Sequence, residues 1–169
     1  MSLFNTTKLT SMQDLFTHKV KCLYDVELRL VEALPKLRDA ASDPKLKAGF
    51  DRHLEETREQ VVRLEQIFTL LNLSPERVTA EAMKALVNEG DRIISASGDD
   101  FVRDAALIGC GLAVEHHEIA LYGTARTWAI SLGLGAISQL LEETLKEEQN
   151  ISQSLSDMAE KEIDAHAAK

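Results

Sequence analysis

Residues 105–122 read AALIGCGLAVEHHEIALY, a run that is apolar on nearly every side until Glu115 and Glu118 appear one turn apart. A helix of that composition is buried on more than one side, so the two glutamates are not both expected to face water. A carboxylate on a buried face needs a cation, a proton or a metal to offset the cost of its desolvation.

The same anomaly recurs on the flanking segments. Residues 11–40 (helix A) carry a stripe of Phe16, Val20, Leu23, Glu27, Leu30 and Leu34, with Glu27 at the centre of the apolar arc. Pro35, near the end of this helix, is expected to kink or loosen its last turns. Ser42-Asp43-Pro44 is a cap followed by proline, opening helix B at about 44–72 with Phe50, Leu54, Thr57, Val61, Leu64, Phe68 and Leu71 as its core stripe. Beside that stripe lie His53, Glu56 and Gln60, at i, i+3 and i+7. Ser74-Pro75-Glu76 repeats the cap-then-proline signal and opens a shorter helix within a crossover of about 73–99, with Gly90 against its continuity. Ser97-Gly98-Asp99-Asp100 caps helix C, about 100–130, and Ser131 to Gly135 forms a turn. Helix D follows at about 136–160, with Ile137, Leu141, Thr144, Glu148, Ile151, Leu155 and Met158 on its core face and Glu148 in the middle. Residues 161–169 read as a fraying tail.

Four long helices with short A–B and C–D connections and a long B–C connection make two helical hairpins joined by a crossover that contains a short helix. That is ferritin-like connectivity in a single all-α domain, 1–169. Composition agrees: 44% hydrophobic residues, 5% aromatics, Gly 8 and Pro 3 leave too little turn chemistry for many short strands. With Lys+Arg 19 against Asp+Glu 28 the net charge is −9, and no basic stripe offers a nucleic-acid surface. Cys22 and Cys110 lie outside any CxxC or Cys/His spacing and read as small hydrophobes in a reducing cytoplasm. The N-terminus has no basic stretch followed by an apolar run and cleavage site, and no segment approaches the roughly 18 consecutive apolar residues of a membrane span.

One glutamate from each of two helices, plus a glutamate and a second ligand from each of the other two, is the arrangement that holds two iron or manganese ions inside a bundle. Hard carboxylate oxygens suit Fe or Mn, and several of them neutralise two dications. The candidate ligands are Glu27, Glu56, Glu115, Glu118 and Glu148, followed by His53, Glu59, Gln60, His116 and Glu147. His116 shares a small-residue stripe with Ala105, Gly109, Leu112, Ile119, Ala120 and Gly123 and reads as a core histidine or a ligand, while His18 and His166 are expected in solvent. Gly109, Gly111 and Gly123 are expected to permit close helix approach.

At these residues the chain resembles the YciE/YciF-like branch of the ferritin-like superfamily, a group of bacterial stress-associated proteins. The resemblance covers Leu15-Phe16, Leu23-Tyr24-Asp25-Val26-Glu27, His53-Leu54-Glu55-Glu56-Thr57, Arg63-Leu64-Glu65, Val114-Glu115-His116-His117-Glu118-Ile119, Tyr122-Gly123-Thr124, Thr144-Leu145 and Glu147-Glu148. It implies a homodimer and a dinuclear metal centre. Glu115-x-x-Glu118-x-x-x-Tyr122 is also similar to the metal-binding helix of the rubrerythrins. That comparison implies ligand roles for Glu27, Glu56 and Glu148 or Glu147. The chain departs from the rubrerythrin pattern where histidine follows glutamate by three: Glu59 or Gln60 stands there on helix B, Asn150 or Ile151 on helix D.

Two functions are expected from this. The first is a cytoplasmic di-iron or di-manganese protein that oxidises Fe(II) or removes peroxide, with Tyr122 or Tyr24 beside the metals. The second is a metal-free dimeric bundle that protects through protein contacts, its glutamates paired with Arg58 and Arg126.

Overall fold

The computed structural model describes residues 9–168, with the side chains at 162, 165 and 166 left aside. The reading of the N-terminus therefore falls largely outside the described residues, as does the side chain of His166.

All regular structure in the described residues is helical. Helix α1 spans Met12–Ala40 and runs unbroken through Pro35, capped by the Ser11 hydroxyl, which accepts from the Asp14 N–H. Helix α2, Pro44–Leu70, starts on an Asp43 cap with Pro44 in its first turn, where a missing N–H costs nothing. Helix α3 is Glu81–Ile94, α4 is Asp100–Ser131 behind an Asp99 cap, and α5 is Gly135–Met158.

Buried hydrogen bonds fix the directions. At the start of α4 the Asp104 carboxylate accepts the Ser42 N–H at 2.8 Å and the Asp43 N–H at 2.7 Å, so the turn between α1 and α2 sits on the first turn of α4. Helix α4 is thus antiparallel to α1 and parallel to α2. A parallel neighbour can be reached only by crossing the length of the bundle, and residues 71–99 do so, with α3 packed on α1 and α4. Helix α5 returns along α4 and α2. This is the ferritin-like helical bundle.

Four local expectations are corrected. Ser74-Pro75-Glu76 does not open a helix: residues 73–80 are non-helical because they are held on α1, where the Val78 N–H donates to the Lys21 carbonyl and Asp25 accepts from Arg77 and the Ala80 N–H. Gly90 does not interrupt α3; it is buried against Leu37, with 3.7 Å between the Leu37 methyl and the place a Cβ would take. The chain past 160 continues as a π-helical turn, Ala159–Ile163, and a short helix α6, Asp164–Ala167, because Ile163 is 1% exposed and packs into the core. His18 is half-buried, its Nε2 3.6 Å from the Cys22 sulfur.

The apolar interior is divided in two. One cluster gathers Val26, Leu30, Phe50, Leu54, Leu107 and Leu155 at the end where α1 turns into α2. The other gathers Phe16, Leu23, Leu64, Phe68, Ala125 and Leu141 at the opposite end. Between them lies a polar layer, to which each of the four long helices contributes at mid-length.

Candidate metal centre

Glu27 lies between Leu23 and Leu30 on α1, and Glu148 between Leu141 and Leu155 on α5, so each points where its apolar neighbours point. Glu115 and Glu118 come from α4, and His53, Thr57 and Gln60 from α2. All are buried: Glu27, Glu118 and Glu148 are 0% exposed, Glu115 1% and His53 4%. His53, Glu115, Glu118 and Glu148 each bring one donor atom into a set whose members all lie within 4.8 Å of one another. His53 Nδ1 stands 3.5 Å from a Glu115 oxygen and Nε2 stands 4.0 Å from a Glu148 oxygen.

Part of this layer is satisfied from within the chain. The Tyr122 hydroxyl donates to Glu27. The Gln60 amide donates to Glu148 at 2.5 Å and to Glu147 at 3.1 Å, while Arg63 grips Glu147 with both guanidinium nitrogens and also donates to Thr144. The remainder has no donor from outside the group: with the carboxyls ionised, one oxygen each of Glu27, Glu115 and Glu148, both oxygens of Glu118 and His53 Nε2 are buried without a hydrogen bond, and only a retained proton would join Glu27 to Glu118 and Glu115 to Glu148. Among the described residues no lysine or arginine pairs with Glu27, Glu115, Glu118 or Glu148. The arginines expected for that role are engaged elsewhere, Arg58 with Glu55 and Arg126 with Glu142.

The electrostatic consequence is strong. Burial, then the charge of Glu148, pushes the carboxyls of Glu27, Glu115 and Glu118 well above the usual carboxylate range. Burial pushes Glu148 up to about 7. Burial also pulls the His53 imidazole down to about 4, so it is neutral near pH 7 and free to offer a lone pair. The Tyr122 phenol is raised well above its usual value by burial and then by Glu27, and stays protonated as a donor.

These residues fit a transition-metal cation. Bonds of about 2.0–2.2 Å place opposite ligand atoms about 4.2 Å apart, so donors already within 4.8 Å need only small side-chain movements to close on an ion. Carboxylates with one neutral imidazole suit Fe(II), Mn(II) and Zn(II) alike.

The remaining candidates lie outside the buried group. Glu56 is half-buried on the wall of a cleft, because its i+3 spacing from His53 turns it about 60° from the inward line through His53 and Gln60. Glu59 is exposed, and Glu147 is held by Arg63. His116 is exposed: Gly109 and Ala120 of the stripe it shares are exposed with it, a Cβ at Gly109 or Gly123 would meet nothing within 4 Å, and only Ala105 and Leu112 at its edge pack on the core cluster around Leu107. Gly111 alone of the three packs inward, where a Cβ would come within 3.0 Å of a Leu155 methyl. His53 was legible as a buried residue from its place four residues before Thr57 and one before Leu54.

Comparison with known proteins agrees with this architecture. The chain is 40% identical over 152 residues to Protein YciF of Escherichia coli (strain K12), covering 89% of this chain and 92% of that one. The crystal structure of this E. coli stress protein superposes with a TM-score of 0.86, covering 89% of this chain and 96% of that one. YcfI of Rhodopseudomonas palustris superposes at 0.87 with 37% identity, covering 90% and 98%. A protein of Xanthomonas campestris pv. campestris at 21% identity shares the fold, at 0.73 over 89% and 92%. The family described as domain of unknown function DUF892 matches residues 11–168, and the chain belongs to that family.

Proposed function

We propose that this protein binds a pair of iron or manganese ions in the polar layer of its bundle and works as a homodimer in a stress response, oxidising Fe(II) with oxygen or peroxide as the electron acceptor or removing peroxide. The observation that carries the reading is the set of buried donor atoms on four carboxylates and one neutral imidazole, with which no lysine or arginine among the described residues pairs. Carboxylates in that position are costly to retain unless a cation compensates them. The relative named a stress protein supports the biological setting.

In this reading His53, Glu115, Glu118 and Glu148, with Glu27 beside them, would hold the ions. Ions held there would supply the redox couple. Tyr122 orients Glu27 through its hydroxyl, and Gln60 does the same for Glu148. Arg63 keeps Glu147 turned away from the centre, and the apolar clusters at either end keep water out.

Protein purified without chelator is expected to carry Fe or Mn by elemental analysis, and Glu27→Ala and Glu148→Ala to lose it. Wild-type protein that stays metal-free and gains no thermal stability on anaerobic Fe(II) addition would sink the reading.

A further inference from the structure

The buried donors need a connection to solvent, and one cleft reaches them. It lies between the first half of α2 and the second half of α5, has a volume of about 210 Å³, and includes His53 among its lining residues. His53 therefore belongs both to this cleft and to the buried group, and its Nε2 is a buried donor atom with no partner. Inner walls are apolar, from Phe50, Leu155 and Met158. Two charged side chains also line the cleft, Glu56 and Arg52. Glu56 is near enough to the centre for its charge to act on both Glu115 and Glu148. The broader hollow further along the same pair of helices, walled by Arg58, Glu59 and Arg63, includes none of the buried group.

We infer that this cleft is the path by which a divalent cation enters the bundle, with Glu56 as its first protein ligand, His53 as the next, and Arg52 as an opposing charge that slows entry. The inference rests on the metal-binding reading above and extends it to residues outside the buried group. A half-buried carboxylate attracts a dication and replaces part of its water shell. The imidazole behind it offers a buried, unpartnered Nε2 to the ion, and its two ring nitrogens stand 3.5 Å from a Glu115 oxygen and 4.0 Å from a Glu148 oxygen. An arginine on the same wall acts with the opposite sign, so the two charges make opposed predictions.

The test is the rate of Co(II) uptake by the metal-free full-length protein, followed by stopped-flow absorbance at low ionic strength, with final stoichiometry measured in parallel. Glu56→Gln is expected to slow uptake and Arg52→Gln to speed it, each by about threefold, with the difference shrinking as salt screens both charges. Ser154→Phe, which places a ring in the cleft from an exposed position on α5, is expected to slow uptake further. Glu59→Gln, the same charge removed one turn away and outside the cleft, is expected to leave the rate unchanged, and all four variants to reach wild-type stoichiometry. Wild-type rates in Glu56→Gln, Arg52→Gln and Ser154→Phe would overturn the path and leave the metal centre standing. Lower stoichiometry in Glu56→Gln would overturn it too, by making Glu56 a resident ligand. A wild-type protein that takes up no Co(II) would overturn both.

Discussion

At the scale of single residues, Glu118 shows most sharply what the centre costs the fold. It is fully buried, neither oxygen of the ionised carboxylate accepts a hydrogen bond, and the charge of Glu148 adds to its desolvation. Glutamine has nearly the same shape and no charge. Glu118→Gln is therefore expected to stabilise metal-free protein at pH 8 by about 1–3 kcal/mol in urea unfolding, while lowering bound metal. A destabilised metal-free variant would show that the charge of Glu118 is compensated within the chain. The sequence pattern shows Glu27 and Glu148 as anomalies because each sits mid-stripe with apolar residues a turn away on both sides. Glu115 and Glu118 were legible for a different reason, a helix too apolar to leave them outside. That same property hid the fate of His116. When a helix is apolar all round, a wheel cannot tell the face that meets its own bundle from the face that leaves it. Glu56 differs from His53 by a smaller margin: about 60° of rotation separates the interior from the cleft wall on which it stands, and one helix viewed alone does not reveal which of those faces α5 covers.

At the scale of elements, caps and connection lengths were legible and long-range polar anchors were not. Ser42-Asp43-Pro44 and Asp99-Asp100 mark real helix starts because the cap and its partners are local. Asp104 could be read only as an acidic residue near a helix N-terminus, yet its two acceptor bonds reach backbone groups 62 and 61 positions away. Asp104→Ala is expected to lower the urea midpoint by the equivalent of about 2–3 kcal/mol with an unchanged m-value, since two backbone N–H groups lose a charged acceptor. A midpoint equal to wild type would mean that α4 is not tied to the α1–α2 turn by this carboxylate. The same blindness explains the non-helical stretch before α3. Ser74-Pro75-Glu76 is a sound local start signal, overridden by the hold of Asp25 on Arg77 and Ala80. Ile163 similarly keeps the end of the chain helical through a core contact that a polar, alanine-rich tail conceals.

At the scale of the molecule, two predictions follow from where charge and apolar surface lie. The proposed homodimer has a ready face in α4, whose outer side exposes Ala113, Ala120 and Ile130 and leaves open space beside Gly109 and Gly123. A two-fold axis there brings the same residue of each copy together, so light scattering is expected to give twice 18.8 kDa for wild type and 18.8 kDa for Ala120→Glu; an unchanged mass in the variant would place the interface elsewhere. The second prediction concerns pH. Of the 28 acidic residues, Asp25 and Asp104 are buried with arginine or N–H partners, while Glu27, Glu115, Glu118 and Glu148 are buried without enough of them. A carboxyl whose folded value is raised holds its proton longer in the native state than in the unfolded chain, so its contribution is present at low pH and is lost as pH climbs from about 4.3 through the folded value. For Glu148 that window closes at about 7, and the other three, also raised well above the usual carboxylate range, act in the same sense. His53, lowered to about 4, acts in the opposite sense, its contribution being lost as pH falls from about 6.5. Four carboxyls outweigh one imidazole, so the melting temperature of EDTA-treated protein is expected to fall from pH 5 to pH 8. Glu118→Gln should flatten that slope, which separates the centre from general surface repulsion at −9. With Mn(II) present the gain in melting temperature should instead grow with pH, because the ligands must shed protons before they bind. Equal stability of the metal-free protein at pH 5 and pH 8, unaltered in Glu118→Gln, would mean that the polar layer is neutralised by the chain itself, and the physical argument for a resident cation would fail.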